Sequence, residues 1–412
     1  MRYYKKETVL DAALNRIRYL FDEFPVIIVS MSGGKDSTVC LELCLSIAKE
    51  KNRLPIHVMW IDQEAEWQGT VNYMTEVMGR QDVIPMWYQM PMVITNNASS
   101  YDRYAYCWDE KNKDKWIHPK NDISIKVNTY GKDRFHDLFA AIMQKEFKNK
   151  KACYISGVRA EENPKRAMAL TRGVTYKWIT WGKVLNKRQN QYTFYPIYDW
   201  SYTDVWKYIE STGSKYNKVY DQMFRFGIPV NGMRISNLHH ETALKHLTEV
   251  QEIEPETWVR LQNRIDGANT IKQIKSKSFA CPTTLPKAFE SWKEYAYYLA
   301  ENIIQEDEYR KKWEKQIQYD YQFSFIEKDQ GIESDFWKVA INTILSSDWD
   351  FTKIQNFRLS QHVNAFRQFN RGIYEQDMVK YSKYLTQEQI KTIKRGISEN
   401  HRYHKQRKKG TA

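Results

Sequence analysis

The sequence contains few cysteines and arranges none of them in the pairs that typically bind metals. Its five cysteines, among 412 residues, form no Cys-x-x-Cys motif. Their spacing argues against a structural zinc site and against a four-cysteine iron–sulfur cluster. A secretory signal and an apolar run approaching the roughly 18 residues of a membrane span are also absent. The sequence therefore predicts a cytoplasmic protein with reduced thiols and no membrane contact.

An excess of basic residues is the main bias in charge. Lys and Arg number 63 against 50 Asp and Glu, which gives a formal charge of +13 and a pI of about 9.2. This balance favours a polyanionic partner such as a nucleic acid or a large nucleotide, but it is also common where charge serves only solubility. The bias is strongest in residues 391–412, where Glu399 is the single acid. That basic tail is a candidate nucleic-acid contact.

Apolar segments alternate with helix-like segments through the first half of the chain. The five apolar segments predicted to be strands are residues 26–30, 54–61, 83–90, 153–156 and 192–197. Continuous apolar strands alternating with helices are typical of parallel sheets that are covered on both faces. The pattern therefore predicts an α/β fold with a doubly wound, mostly parallel five-stranded sheet.

Changes in composition divide the chain into successive regions. Residues 1–24 place apolar side chains at helical spacing and predict a leading amphipathic helix. Residues 25–235 form the predicted nucleotide-binding domain, with an insertion at about 96–132 that is either a surface loop or a substrate lid. From 236 to 412 the strand patterns fade, and the sequence predicts a mainly helical region. Helices are expected there at 287–305, 308–321, 334–345 and 387–400.

A glycine turn follows the first predicted strand and opens a helical segment. Its residues are Ser32, Gly33, Gly34, Lys35, Asp36 and Ser37, and Ser30 ends the strand before it. This arrangement aims backbone N–H groups and the positive end of a helix at an anion. Adjacent glycines let the backbone approach that anion, and the lysine and serines add donors. The turn is not a Walker A loop, because an aspartate follows the lysine, and that carboxylate suits a metal-bridged phosphate.

Polar residues also follow the second and fourth predicted strands. Asp62 comes directly after the second strand, where a carboxylate can hold a metal ion or a ribose. Gly157, Arg159, Glu162 and Arg166 follow the fourth strand. The two arginines could clamp phosphate or sulfate oxygens, and Glu162 could bind a hydroxyl or orient an arginine.

Three motifs in the same order resemble the PP-loop superfamily of N-type ATP pyrophosphatases and phosphoadenylyl-sulfate (PAPS) reductases. Residues 32–37 resemble its PP-loop. Residues 157–166 resemble the Gly-[Ile/Val]-Arg-x-x-Glu-Ser-x-x-Arg element, with Asn163 in place of the serine. Residues 196–209 resemble its Pro-[Ile/Leu]-x-x-Trp and Asp-Val-Trp-x-Tyr-Ile stretch. The resemblance implies an adenine nucleotide alpha hydrolase-like fold over about residues 25–235.

The same resemblance implies an adenine nucleotide, ATP or PAPS, as ligand and Mg²⁺ as cofactor. Lys35, Asp36, Arg159 and Arg166 are then the candidate catalytic residues, and Asp36 and Asp62 the candidate magnesium ligands. The candidate nucleotide-binding residues are Ser30, Ser32, Gly33, Gly34, Lys35, Asp36, Ser37, Asp62, Gly157, Arg159 and Glu162.

The sequence departs from the reductases in lacking their C-terminal Glu-Cys-Gly-x-His motif. The first hypothesis is therefore adenylyl transfer from ATP to an unknown acceptor. Two alternatives stay open: a thiol-dependent sulfonucleotide reductase using Cys281, and a non-catalytic nucleotide-sensing regulator. The helical C-terminus also resembles the DUF3440 group, which includes a regulator of immunoglobulin-binding protein expression. That resemblance implies a ParB/sulfiredoxin-like protein partner.

Overall fold

The chain separates into two compact units, Met1–Gln273 and Ile274–Ala412. A computed structural model describes the residues given at the end of this paragraph. Within them, none of the helices is long and apolar enough to cross a membrane. The described residues are 6–96, 104–162, 166–167, 170, 174–186, 190–235, 237–238, 247–265, 281–304, 306–322, 330–346, 348 and 350–358.

A seven-stranded sheet forms the centre of the first unit. Its strands are β1 (Val26–Ser30), β2 (Ile56–Ile61), β3 (Val83–Tyr88), β6 (Ala152–Ile155), β7 (Thr175–Tyr176), β8 (Ile179–Asn186) and β9 (Gln191–Phe194). Their order is β3-β2-β1-β6-β9-β8-β7, and the five from β3 to β9 are parallel. The remaining two, β8 and β7, pair antiparallel at one edge. The mostly parallel α/β fold is thus confirmed.

The strand count is corrected from five to seven by the β7–β8 hairpin. The hairpin lies at the sheet edge, and Trp178 at its turn is 68% exposed. Strand β8 mixes apolar residues with Lys183 and Asn186, and Gly182 approaches the Phe194 ring. An edge strand with one exposed face does not form the continuous apolar segment that marks a buried parallel strand. A separate two-stranded sheet, β4 (Met92–Thr95) and β5 (Tyr104–Cys107), was also not predicted.

Helices cover both faces of the sheet. They are α1 (Val9–Glu23), α2 (Lys35–Glu50), α3 (Gln68–Met78), α4 (Phe135–Glu146), α5 (Tyr202–Thr212), α6 (Val219–Arg225), α7 (Leu247–Ile253) and α8 (Pro255–Arg264), with a 3₁₀ helix at Glu110–Lys115. One apolar core joins the sheet to α1, α2, α3 and α5, and a second joins its other face to α4. Helix α2 is apolar nearly all round because it is covered on several sides.

The order of the strands places a topological switch point beside β1. From β1 the chain adds β2 and β3 on one side, and β6 then pairs with the other side of β1. In open α/β sheets, ligands bind in the crevice at the carboxyl ends of the two strands where the order reverses. Here the segments that leave those ends are the glycine turn and the segment beginning at Gly157.

Much of the predicted insertion is packed into the first unit. Trp108, Ile117 and His118 are at most 2% exposed. The backbone of Ile125 also bridges to Tyr88 at the end of β3. The insertion is therefore anchored in the core at these residues, whereas others of its described residues are exposed, such as Val127 at 66%. Helices α7 and α8 lie in the first unit as well, although the sequence changes in texture near residue 236.

The second unit is helical where the structure describes it. Its helices are α9 (Trp292–Ile303), α10 (Asp307–Gln322) and α11 (Gln330–Leu345), which agree with three of the predicted helices. Their apolar faces share a core with Trp313 and Phe336, which are fully buried. The helix predicted at 387–400 and the basic tail 391–412 lie outside the described residues.

Candidate active site

Residues 32–37, the phosphate loop, have a backbone that requires glycine at its bend. Gly33 has φ of +71°, and a Cβ at this position would lie 2.6 Å from Thr70 Cγ2. Ser37 fixes the loop from inside: its Oγ accepts from the Ser32 N–H at 3.3 Å and donates to the Gly34 carbonyl at 2.8 Å. The loop is therefore held open in the curled form that presents backbone donors to an anion.

Two buried cations converge on one carboxylate at the start of α2. Lys35 is 6% exposed and places its Nζ 3.2 Å from Asp36 Oδ2. Arg159 is 4% exposed and donates from Nε to Asp36 Oδ1. The same guanidinium donates from Nη1 to Glu161 at 3.2 Å and to the Trp200 carbonyl at 3.4 Å. Cations held beside a helix N-terminus make this the strongest candidate anion site in the described structure.

Gly157 brings the segment after β6 against the phosphate loop. A Cβ at residue 157 would lie 2.7 Å from the Asp36 carbonyl carbon and 2.8 Å from the Ser37 nitrogen. Those atoms are backbone and cannot move aside cheaply, so only glycine fits. This contact carries Arg159 to the loop from a position more than 120 residues later in the chain.

The remaining residues predicted after β6 lie at different depths. Glu162 accepts from the backbone N–H of Arg159 at 2.9 Å, so its carboxylate fixes the turn that aims the arginine. Arg166 lies 3.7 Å from Glu162, and its side chain is 51% exposed. About half of this side chain is therefore in contact with solvent. Ser30 ends β1 and pairs with Met59 of β2.

Two further side chains contact the loop and were not predicted. Asn217 donates from Nδ2 to the Gly33 carbonyl at 3.2 Å and to Thr70 Oγ1 at 2.8 Å. The Tyr220 hydroxyl accepts from the Lys35 backbone N–H at 3.2 Å. Both are separated from the loop by more than 180 residues of sequence. No local pattern marks them, because only the path of the chain after α5 brings them to the loop.

Asp62, the carboxylate after β2, is fully buried and heavily hydrogen-bonded. Its Oδ1 accepts from the Glu64 N–H at 2.9 Å, and its Oδ2 accepts from Trp87 Nε1 at 3.1 Å and Gln89 Nε2 at 2.9 Å. His118 Nε2 lies 3.4 Å from Oδ1. Burial lowers the pKa of His118, but the charge and hydrogen bond of Asp62, with smaller effects of the Pro119 carbonyl and Glu66, together raise it above its usual value.

Together with Asp62, Glu64 and Glu66 form an acidic loop, residues 62–66. All of its carboxylates are buried. Glu64 accepts from Arg264 Nε at 2.6 Å and from the Trp108 N–H at 2.7 Å. Burial raises the pKa of Glu66 to about 8, and the nearby charge of Asp62 adds to the effect. Within the described ranges, no three His, Cys, Asp or Glu side chains are grouped to hold a metal.

The cysteines are poor nucleophiles where they stand. Cys40, Cys44, Cys107 and Cys153 are buried, and burial raises the pKa of each thiol well above its usual value. Burial also raises the pKa of Cys281, against a smaller opposing effect of Lys338. A reactive cysteine needs the opposite shift, toward the thiolate.

A separate cavity of about 1070 Å³ lies between α3 and α5. Tyr73, Trp206 and Tyr216 are among its lining residues. The phosphate loop does not line it, although the Tyr73 hydroxyl contacts Thr38 of α2 at 2.9 Å. This cavity is therefore distinct from the candidate anion site.

A parallel sheet with a glycine-rich phosphate loop at its switch point defines a nucleotide-binding α/β protein of the PP-loop class. Comparison of sequences confirms this class and specifies it. Residues 26–226 match the family model of the phosphoadenosine phosphosulfate reductase domain, and residues 227–395 match DUF3440, a domain of unknown function. The two matches follow one another along the chain and together span residues 26–395.

One curated relative matches nearly end to end. It is the uncharacterized protein YbdN of Escherichia coli K12, 26% identical over 87% of this chain and 95% of its own length.

Solved structures resemble the chain more distantly. FMN adenylyltransferase of Candida glabrata, in complex with FMN and an ATP analogue, is 15% identical, with a TM-score of 0.34 over 58% of this chain and 66% of that one. PAPS reductase of Candida auris, in a phosphate complex, is 12% identical, with a TM-score of 0.31 over 58% and 98%. The match spans less than two thirds of the adenylyltransferase. Likenesses at these TM-scores carry no argument about this chain's activity.

Proposed function

We propose that the protein binds ATP at the phosphate loop and transfers the adenylyl group to an acceptor, releasing pyrophosphate. The observation that carries this proposal is the convergence of buried Lys35 and Arg159 on Asp36 at the N-terminus of α2. Such cations remain charged when paired and can exchange that partner for phosphate oxygens without leaving their place. In this proposal the backbone N–H groups at the start of α2 add donors to the phosphate.

Each residue has a distinct part in the proposed reaction. The loop amides and Lys35 hold the outer phosphates, and Arg159 stabilises charge that develops on the departing pyrophosphate. An acceptor oxygen bonds to the α-phosphorus while the bond to the α–β bridging oxygen breaks, and pyrophosphate leaves with that electron pair. In this proposal Arg166, whose side chain is 51% exposed, contacts the acceptor. Positioning and charge stabilisation supply the catalysis, as in phosphoryl transfer generally.

Asp36 is the carboxylate that fits magnesium in this proposal. Its side chain is 19% exposed and lies in the phosphate loop, and Mg²⁺ usually binds through one or two carboxylates together with substrate phosphates and water. When bound, Mg²⁺ neutralises phosphate charge. Asp62 is less suited, because three protein donors and His118 already surround its oxygens. That Asp62 binds magnesium stays a prediction.

Sulfonucleotide reduction is the second candidate, and the match to the PAPS reductase domain supports PAPS as a possible ligand. The raised thiol pKa values weigh against a cysteine nucleophile, Cys281 included. The regulatory hypothesis, with a ParB-like partner or DNA, depends on residues 391–412 and stays a prediction.

Calorimetric titration with ATP and with PAPS, each with Mg²⁺, tests the proposal. Wild-type protein is expected to bind ATP, and Lys35→Ala to bind it about 10- to 100-fold more weakly, since a hydrogen bond to a charged group is lost. Lys51→Ala is the matched control, because Lys51 caps the other end of α2 and pairs with Asp22. Turnover is then measured as the release of pyrophosphate after candidate acceptors are added.

Preferential binding of PAPS would favour the reductase hypothesis. Binding of neither nucleotide, or equal binding by wild type and Lys35→Ala, would contradict the proposed site.

A further inference from the structure

Tyr220 joins the phosphate loop from the end of the reductase-type domain. It lies in the first turn of α6 and is 3% exposed. Its hydroxyl accepts from the backbone N–H of Lys35 at 3.2 Å, which is one of the N–H groups at the start of α2 that lack a helical partner. The tyrosine oxygen therefore stands among the donors that a bound phosphate would use.

The position of the ring is set from several sides. Lys35 Nζ lies 5.3 Å from the ring centroid, and Trp206 packs edge to face at 5.3 Å with an interplanar angle of 87°. Asn217, three residues earlier, donates to the Gly33 carbonyl and so ties this segment to the loop. A side chain so restrained is already in place before a ligand arrives.

The hydroxyl also faces the same part of the loop as Ser32. A Cβ added at Gly34 would lie 3.4 Å from the Tyr220 oxygen and 3.4 Å from Ser32 Oγ. The two hydroxyls therefore flank Gly34, where the missing side chain leaves room for a phosphate oxygen to approach the backbone.

Among the described residues, the O–H of Tyr220 donates no hydrogen bond. A tyrosine oxygen can accept while its O–H donates, and here the only hydrogen bond of the group among the described residues is the one from Lys35. Burial, with the nearby charge of Asp36, raises the pKa of Tyr220 above its usual value. The group thus keeps its proton across the physiological range.

We propose that Tyr220 is a phosphate-binding residue, which accepts from the Lys35 N–H and donates its own O–H to an oxygen of the bound nucleotide phosphate. This assignment rests on nucleotide binding at the loop, as in the proposed function. Asn217 is a positioning residue for the same segment, because its contacts are with the protein backbone and Thr70 and not with the ligand.

Titration of the full chain with inorganic pyrophosphate and with Mg-ATP tests the assignment in Tyr220→Phe. The loss of one hydrogen bond to a charged oxygen is expected to weaken binding of both about 10- to 100-fold. Tyr216→Phe is the matched control, because Tyr216 lies in the same segment and donates to Asp221 at 2.6 Å. It is expected to bind both ligands as wild type does, within about twofold.

If Tyr220→Phe does not fold, 3-fluorotyrosine at position 220 keeps the ring and makes the hydroxyl a stronger donor and a weaker acceptor. Tighter pyrophosphate binding by this variant supports the donor role, and weaker binding contradicts it.

Two further outcomes separate this proposal from the one before it. Wild-type affinity in a folded Tyr220→Phe variant overturns the tyrosine assignment and leaves nucleotide binding intact. A wild-type protein that binds neither pyrophosphate nor ATP overturns both.

Discussion

The loops at the carboxyl ends of β1 and β2 each pair a carboxylate with an arginine from elsewhere in the chain, but the two carboxylates differ in burial. In the phosphate loop, Lys35 and Arg159 share the partly exposed carboxylate of Asp36. In the acidic loop, Asp62 and Glu64 are buried at 0% and 1% exposure and are saturated by protein donors. One loop holds cations around a partly exposed carboxylate at a helix N-terminus, whereas the other holds buried carboxylates that already accept from protein donors.

The comparison teaches that position at the sheet edge does not by itself define a site. Both loops follow parallel strands at the edge where ligands bind in this class of sheet. What differs is whether the charges are satisfied within the protein. A buried charge with a full set of partners contributes to folding, and a charge that can exchange its partner contributes to binding.

Arg264→Ala is the change expected to separate the two loops most strongly. It leaves Glu64 buried without its ionic partner and is expected to lower the free energy of unfolding by about 3–5 kcal/mol. Urea unfolding measures this loss. The double variant Arg264→Met with Glu64→Gln should recover much of it, because neither charge then remains. A loss below about 1 kcal/mol for the single variant would contradict the structural role of this pair.

Glu66→Gln tests the acidic loop through pH. Because the folded state raises the pKa of Glu66 from 4.5 to about 8, it binds this proton more tightly than the unfolded state. The resulting stabilisation is complete below pH 4.5 and falls by about 1.4 kcal/mol per pH unit until about pH 8. Glu66→Gln should flatten that dependence in urea unfolding at pH 5 and 8.5.

The control for this pH experiment is Glu76→Gln, an exposed glutamate paired with Lys215. It should keep the wild-type pH dependence. An equally steep dependence in Glu66→Gln would show that another group is responsible.

Gly33→Ala tests the backbone of the phosphate loop. Positive φ and a Cβ 2.6 Å from Thr70 should together cost about 1–3 kcal/mol of stability and displace the loop, which weakens ATP binding. Gly131→Ala is the matched control, because Gly131 has φ of +68° but no atom within 4 Å of an added Cβ. Equal destabilisation by both variants would assign the whole loss of stability to the positive φ. The close contact with Thr70 would then contribute nothing to that loss.

Arg159→Ala is expected to have the smallest effect on stability, about 1 kcal/mol, because Asp36 is partly exposed and keeps Lys35 as partner. Its effect on calorimetric ATP affinity should be larger, about tenfold, since it removes a donor to phosphate. The contrast with Arg264→Ala sharpens the comparison, because Arg159 is expected to serve binding and Arg264 to serve folding. A large stability loss with unchanged affinity would reverse that assignment.

Much of the fold could be predicted because its signals are local. The five parallel strands are mostly apolar, because burial on both faces favours apolar residues, although β9 also buries Gln191 and Thr193. The β7–β8 hairpin and the β4–β5 pair escaped prediction, because partly exposed strands lack that signal. The structure also assigns a structural part to Asp204 of the third motif, which forms a capping box with Ser201 at the start of α5.

The candidate site divides in the same way. The order strand, glycine turn, helix was determined by the sequence, because backbone geometry there depends on adjacent residues, and from it the sequence predicts that residues 32–37 present donors to an anion. Only the tertiary structure decided that Arg159, Asn217 and Tyr220 meet this loop, that the carboxylates of the acidic loop are buried, and that β7 and β8 extend the sheet. Burial and hydrogen-bond partners depend on residues far apart in the chain, and no window of sequence contains them.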